Sequence, residues 1–306
     1  MNAWPEAVRE YLALRRGLGF KLKEAGRGLA DFARFLNRQA AGHVTVSLAL
    51  KWAHRSPSAA QRLSFVRGFA QYYRAIDPRT EIPSSSLLPF RPRRAQPYLY
   101  TDSQTRALLA AALRLSSDDP LRRWTFHALY GLLAVSGLRI SEALALRLGD
   151  VDLQAGVLTV SKSKFGQSRL VPLHASTTQV LLDYRTRRNR SGAGRDASDF
   201  FFVSKVGTRL ADSVVRTTFY RLSRQIGLRG PSDSHGPRLH DFRHRFAVET
   251  LIRWYRSGVD PERRIQVLST YLGHIHVADT YWYLTACPAL MASAMTRVED
   301  RWKDLS

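Results

Sequence analysis

The sequence predicts a mainly α protein with a small β-sheet, built as two domains. Three observations lead there. Apolar residues recur at spacings of three and four through most of the 306 residues, which marks helices with one buried face. Only the stretch from Asp150 to Leu173 changes to a period of two, the repeat of a half-buried strand. A proline-rich, basic run at 83–97 interrupts the helical pattern and separates a helical domain, 1–82, from a longer mixed domain, 98–306.

In the first domain, Val8, Tyr11, Leu12 and Leu14 place a helix over 5–16, which Gly17 and Gly19 end. Residues 24–40 repeat the pattern with Leu29, Phe32, Ala33, Phe35 and Leu36. Thr45 to Trp52 forms a short third helix. Ser56-Pro57-Ser58 starts another, proline being tolerated where a first turn needs no N–H, and Leu63, Phe65, Val66, Phe69, Tyr72 and Tyr73 follow. These helices make a small α bundle. Arg9, Arg15, Arg16, Lys21, Lys23, Arg27 and Arg34 alternate with its apolar positions, either as solvated faces or as phosphate clamps. Four prolines exclude a continuous helix through 83–97, and Arg91, Arg93 and Arg94 make this linker a candidate DNA contact.

In the second domain, Thr101-Asp102-Ser103 caps a helix over 104–115. Residues 121–135 form a strongly apolar helix ended by Gly137, and Ile140 to Leu146 begin the next. Val151, Leu153, Val157, Leu158 and Val160 alternate, and Leu170-Val171-Pro172-Leu173 follows a polar turn containing Gly166. The spacing predicts a β-hairpin or sheet edge over 157–173. Helices return from 174, with a loop at 189–199. Ser257-Gly258-Val259-Asp260-Pro261 divides the segment after Arg243 into helix, turn and helix, which would deliver Tyr271 to His274 to the same place as Arg243. Leu290, Met291, Ala294, Met295, Val298 and Trp302 share one stripe of a terminal helix over about 288–302. No internal repeat is visible.

The composition narrows the partners. The chain carries 47 Lys+Arg against 25 Asp+Glu, a formal charge of +22, and 44% hydrophobic residues, so a folded core and a polyanionic partner are both expected. An anionic membrane surface is the other polyanion, but no basic amphipathic helix or lipidation signal stands out. Cys287 is the only cysteine, which excludes an intrachain disulfide and a Cys-rich zinc module. The start, Met1-Asn2-Ala3-Trp4-Pro5-Glu6, is unlike a signal peptide, and no apolar run reaches the roughly 18 residues of a membrane span. A cytoplasmic, nucleoid-associated protein is expected.

Against this background one ordered series of polar motifs stands out. It runs Ser136-Gly137-Leu138-Arg139-Ile140-Ser141-Glu142, then Lys164 to Leu173 (Lys-Phe-Gly-Gln-Ser-Arg-Leu-Val-Pro-Leu), His240-Asp241-Phe242-Arg243, Leu272-Gly273-His274, and Tyr283 nine residues on. In this order and spacing the series resembles the tyrosine recombinases, the phage-integrase family, over about 98–306. The first 90 residues resemble that family's helical, SAM-like core-binding domain only in shape.

The resemblance implies a site and a chemistry. Tyr283 would be the nucleophile that forms a covalent 3′-phosphotyrosine. Arg139 and Arg243 would stabilise the pentacoordinate phosphorane, since each planar guanidinium fork matches two phosphate oxygens. His274 would donate to a non-bridging oxygen, His240 would serve as base or donor near the tyrosine, and Lys164 would protonate the leaving 5′ oxygen. Glu142, one helical turn from Arg139, would orient it or a neighbour. Tyr281 is the rival nucleophile and Lys162 the rival acid. His240 and His244, four residues apart, look like a metal helix, but Asp241 replaces the glutamate of that motif and Arg243 sets a cation beside it; no metal and no cofactor are expected.

The function implied is a site-specific recombinase or integrase that works through a Holliday junction for a mobile element. It would act on double-stranded DNA with inverted-repeat core sites as a homotetramer exchanging the 288–302 helix, with the two domains clamping the duplex. With so short a stretch before the first helix, no added arm-binding domain is expected. A chromosome-dimer resolvase, a type IB topoisomerase-like enzyme and an inactive DNA-binding regulator on the same scaffold are the alternatives.

Overall fold

A computed structural model of the chain describes residues 3–88, 97–161, 168–191, 199–233 and 235–286, together with 291–292, 295–296 and 302. Lys162 and Lys164, Arg91, Arg93 and Arg94, and most of the 288–302 stretch lie outside the described residues. The chain divides into two units, Met1–Arg94 and Ala95–Ser306.

The first unit is helical. Helices α1 (Ala3–Gly17), α2 (Lys23–Arg38), α3 (Val46–Ala53) and α4 (Ala59–Tyr73) surround one core. Its centre is Trp52, whose ring lies 5.0 Å from that of Phe32 and has no exposed surface. The indole N–H still needs an acceptor when buried, and Asp31 supplies it at 2.9 Å; Arg62 binds the same carboxylate and lies 3.8 Å over the indole face. Thr45 caps α3 by accepting from the Leu48 amide. The expected start at Ser56-Pro57-Ser58 lies just ahead of α4, with Ser58 as the N-cap residue.

The second unit is mixed. Helices α5 (Asp102–Leu113) and α6 (Arg122–Ser136) are followed by a single turn, α7 (Ile140–Ala143). A 3-10 turn (Leu148–Asp150) leads into the strands β1 (Val151–Asp152), β2 (Val157–Val160) and β3 (Arg169–Pro172). Helices α8 (Ala175–Arg190), α9 (Asp212–Gln225), α10 (His240–Arg256), α11 (Pro261–Leu272) and α12 (Ala278–Ala286) complete it. The strands form one antiparallel sheet in the order β1-β2-β3, with Leu158 opposite Val171 and Val160 opposite Arg169.

Helix α7 is shorter than the expected Ile140–Leu146. After one turn the backbone finds partners elsewhere: the Leu148 amide donates to Asp199 O, the Phe201 amide donates to Leu146 O, and Arg147 bridges Phe200. Pairing across to 199–201 replaces the hydrogen bonds a second helical turn would have made.

Two apolar clusters organise this unit. The larger packs Phe126, Leu129 and Tyr130 of α6 against Phe201, Phe202, Phe219 and Phe242. The smaller, Ala247, Val248, Leu251, Leu268, Leu272 and Tyr283, joins α10, α11 and α12. Helix α10 is also tied to α5 by Arg245, which is buried and donates to Asp102 and Thr105. The two clusters set the ends of α6, α10 and α11 against one another, and the polar series lies at those ends.

Candidate active site

The ends of α6 and α11, the strand β3 and the helices α7, α10 and α12 build the site. Gly137 closes α6 with φ +62°, a left-handed conformation in which a Cβ would lie 2.7 Å from the Phe246 ring. The turn makes Arg139 the N-cap of α7, its amide donating to Glu142 Oε2 at 3.0 Å. The Arg139 side chain returns to the same carboxylate, Nη1 to Oε1, at 2.8 Å. From β3, Arg169 reaches it as a fork, Nη2 to Oε2 at 2.8 Å and Nη1 to Oε1 at 3.2 Å. Burial works to raise the Glu142 carboxyl, but the bonds from Arg169 and Arg139 outweigh it, and its pKa lies below the usual carboxylate value.

The C-terminus of α11 supplies the opposite wall. The last carbonyls of a helix lack intrahelical donors and carry the negative end of its dipole, so cations are favoured there. Here three consecutive carbonyls each accept from a different arginine. Tyr271 O accepts from Arg169 Nε at 2.6 Å, Leu272 O from Arg243 Nη2 at 2.5 Å and Gly273 O from Arg139 Nη2 at 2.8 Å. Arg243 also donates to Gly137 O at 2.8 Å, so the carbonyls of both helix-ending turns hold it. Gly273 has φ +65°, and a Cβ there would stand 2.8 Å from Arg169 Nη1 and 3.4 Å from Arg139 Nη1. The glycine of Leu272-Gly273-His274 is thus required twice, by its conformation and by the guanidiniums over it.

Arg243 is 1% exposed. Burial, and then the charge of Arg139, lower its pKa to about 10, which leaves it cationic at neutral pH. His274, next after Gly273, places Nδ1 2.7 Å from Thr280 Oγ1. Thr280 is fully buried, and its hydroxyl can donate to Nδ1, which leaves the ring proton on Nε2 as a donor for a ligand.

Tyr283 is 2% exposed and sits in the smaller apolar cluster, whereas Tyr281 is 47% exposed. The Tyr283 hydroxyl lies 3.2 Å from His244 Nδ1, and its ring is stacked 6.2 Å from that of His274. His244 in turn lies edge-on to His240, with ring centres 4.7 Å apart, and its Nε2 is 4.0 Å from the buried Asp241 carboxylate.

The comparisons with known proteins agree with one another. The family model described as the phage integrase family matches residues 99–288. The chain belongs to the phage integrase family. It is an enzyme of the tyrosine recombinase class. It is 56% identical over 313 residues to a Sinorhizobium fredii (strain NBRC 101917 / NGR234) protein with the provisional name integrase/recombinase y4rB, covering 99% of each chain. It is 30% identical to the tyrosine recombinase XerD of Caulobacter vibrioides (strain ATCC 19089 / CIP 103742 / CB 15), covering 92% of this chain and 91% of that one. Among solved structures, the Tn1549 transposon integrase in complex with circular intermediate DNA shares the fold, with a TM-score of 0.64, 19% identity and 95% and 99% of the two chains covered.

For this tyrosine recombinase, the structure brings Arg139, Glu142, Arg243, His274 and Tyr283 to one place. His240 lies at its edge, exposed and reached through His244. Among the described residues, no group of three or more His, Cys, Asp or Glu is arranged to hold a metal ion. Sequence reasoning passed over three residues. His244 stands in the sequence only as a metal-ligand candidate, and Thr280 and Arg169 carry no role there. Strand alternation held a signal for Arg169. It shares a face with Val171, which is fully buried, while Leu170 between them is 65% exposed. An arginine on an inward face requires a partner.

The two imidazoles near the arginines give a pH prediction. Burial, and then Arg243 and Arg139, lower His274 to about 4. Burial, and then His244 and Arg243, lower His240 to about 4, although solvent reaches its ring and tempers the effect. The unfolded chain, with histidines near 6.5, therefore binds more protons than the folded one between these values. Their stabilising contribution is complete above about pH 6.5 and is lost as the pH falls towards about 4. The urea midpoint is expected to fall between about pH 7 and about pH 4.5, and His274→Gln to flatten that slope. An equally steep slope in the variant would assign the effect to other groups.

Proposed function

We propose that this enzyme cuts and rejoins DNA strands at specific sites through Tyr283, with Arg139 and Arg243 binding the scissile phosphate. The observation that carries the proposal is the pairing of two main-chain-held guanidiniums with an inward-turned tyrosine whose hydroxyl already rests on an imidazole. Arg243 spends one N–H of each terminal nitrogen on a carbonyl, and Arg139 does the same on Glu142 and Gly273. Each keeps further donors for phosphate oxygens. Because the backbone fixes both forks before DNA arrives, little reorganisation is needed as charge builds on the phosphorane.

The step follows. The Tyr283 oxygen attacks phosphorus, its proton passing to the imidazole beside it. The bond from phosphorus to the 5′ oxygen breaks, and the leaving oxygen takes a proton from Lys164. His274 Nε2 donates to a non-bridging oxygen. A 3′-phosphotyrosine results, and attack by a 5′-hydroxyl reverses the step on the same or an exchanged strand, so no external energy source enters.

The substrate is double-stranded DNA with inverted-repeat core sites. The charge of +22 supports a polyanion, and solved relatives of the same fold are described in complex with transposon circular intermediate DNA and with a palindromic difH substrate. A mobile-element role is our reading ahead of chromosome-dimer resolution, supported by the name integrase/recombinase of a relative 56% identical along the whole chain. A homotetramer on DNA completes the proposal, with Met291, Met295 and Trp302, all more than half exposed, as the apolar residues a neighbouring copy would cover.

The test is to incubate the protein with nicked duplexes from the DNA flanking its gene, denature with SDS, and map any protein–DNA adduct by mass spectrometry. An adduct on Tyr283 is expected. An adduct on Tyr281 would move the nucleophile. Tight binding without an adduct on any flanking site would overturn the strand-transfer reading and leave a DNA-binding scaffold. Relaxation of an unrelated supercoiled plasmid would replace site-specific exchange by topoisomerase activity.

A further inference from the structure

We infer that Arg169 is a positioning residue of this site, one that keeps the Arg139 guanidinium available to the phosphate. The inference rests on the proposed roles of Arg139 and Arg243. Three observations carry it. First, all three nitrogens of the Arg169 guanidinium are bonded to protein, Nε to Tyr271 O and both terminal nitrogens to the Glu142 carboxylate, whereas Arg139 and Arg243 are held through their terminal nitrogens. It is placed to hold protein atoms through every nitrogen.

Second, the local charge depends on it. Arg139, Arg169 and Arg243 surround one carboxylate, Glu142, which gives 3 − 1 = 2 positive charges in a buried cluster. Without Arg169, Arg139 would be the carboxylate's only direct partner, a neutralised pair, and the net charge facing a phosphate would fall to 2 − 1 = 1. Arg169 occupies both carboxylate oxygens, so Arg139 makes a single side-chain bond to Oε1 and turns its other terminal nitrogen to Gly273 O.

Third, the same side chain links three elements. It leaves β3, grips α7 through Glu142 and takes the first of the three carbonyls that end α11. Its guanidinium and that of Arg139 converge over Gly273, the residue before His274. A planar fork with an additional Nε–H meets these demands; a lysine ammonium is a point donor and does not.

The test is single-turnover cleavage of a nicked duplex by wild type, Arg169→Lys and Arg169→Met, with Tyr283→Phe as reference. DNA affinity and the urea midpoint are measured beside each rate. Arg169→Met is expected to lower the cleavage rate about 100-fold and Arg169→Lys about 10-fold, with DNA affinity within about 2-fold of wild type. On a duplex whose scissile phosphate is a neutral methylphosphonate, cationic stabilisation matters less, and the Arg169→Met deficit is expected to shrink below about 10-fold. In a Glu142→Gln background, Arg169→Lys is expected to cost little more, since both residues act through one carboxylate.

Wild-type rates in Arg169→Met would overturn the inference. So would a deficit of equal size on the methylphosphonate, which would make the defect structural, or full additivity with Glu142→Gln. If Arg169→Met unfolds, Arg169→Lys carries the same comparisons. An adduct formed by Tyr283→Phe would instead overturn the underlying assignment of the nucleophile.

Discussion

Arg243→Met is expected to abolish detectable strand cleavage while leaving the protein close to wild-type stability. The two effects separate because a buried guanidinium is costly to the fold and indispensable to the chemistry. Arg243 is 1% exposed, and burial already pulls its pKa down to about 10. Replacing a buried charge by an apolar side chain of similar length removes a desolvation penalty of several kcal/mol. Against this, Gly137 O and Leu272 O lose their donors, at about 1–3 kcal/mol each. The opposing terms are of similar size, so a net change within about 2 kcal/mol is expected. Arg243→Ala adds a cavity to the same two bare carbonyls and is expected to lose about 3–5 kcal/mol. Loss of one preorganised donor costs about 100- to 1,000-fold in rate, and a charged fork costs at least the upper figure. Urea unfolding and adduct formation on the same preparations check both halves. Cleavage within about 10-fold of wild type in Arg243→Met would remove this residue from the phosphate site.

Tyr283→Phe is expected to form no adduct at any time, because no oxygen remains to attack phosphorus. DNA affinity should be unchanged. The ring keeps its place among Ala247, Val248, Leu251, Leu268 and Leu272, and loss of the hydroxyl bond to His244 is expected to change stability by about 1 kcal/mol. Phenylalanine is the informative substitution, since alanine would empty a core position at about 3–5 kcal/mol and confound folding with chemistry. Tyr281→Phe, on the exposed face of α12, is expected to cleave at the wild-type rate. Cleavage lost in Tyr281→Phe but kept in Tyr283→Phe would reverse the assignment.

Much of this architecture was legible in the sequence because its causes are local. Asp260-Pro261 and Gly273 bound α11 by their own backbone preferences, and the period-two pattern marked the hairpin over 157–173, whose strands are β2 and β3. The motif order placed Arg139, Arg243, His274 and Tyr283 in one series, and spacing preferred Tyr283 to Tyr281. The remainder depends on contacts between distant segments. That three arginines would meet at Tyr271, Leu272 and Gly273 requires β3 to lie beside α11, which no spacing within either element encodes. The short α7 depended on pairing with 199–201, and the role of His244 on which turn of α12 faces α10. Glu142 fell between these cases. One turn of helix was enough to pair it with Arg139, whereas its second arginine came from β3.

The arginine-capped end of α11 has a consequence for when the enzyme becomes active. Arg139 and the carbonyl that holds it are 134 residues apart in the chain, and Arg169 and its carbonyl 102 apart. During synthesis, a chain that has emerged only as far as α10 has its arginines but not the three α11 carbonyls that aim them, and the tyrosine is still to come. A site whose cations are aimed by one of its late segments is completed late in synthesis, and a chain truncated before α11 is expected to lack it.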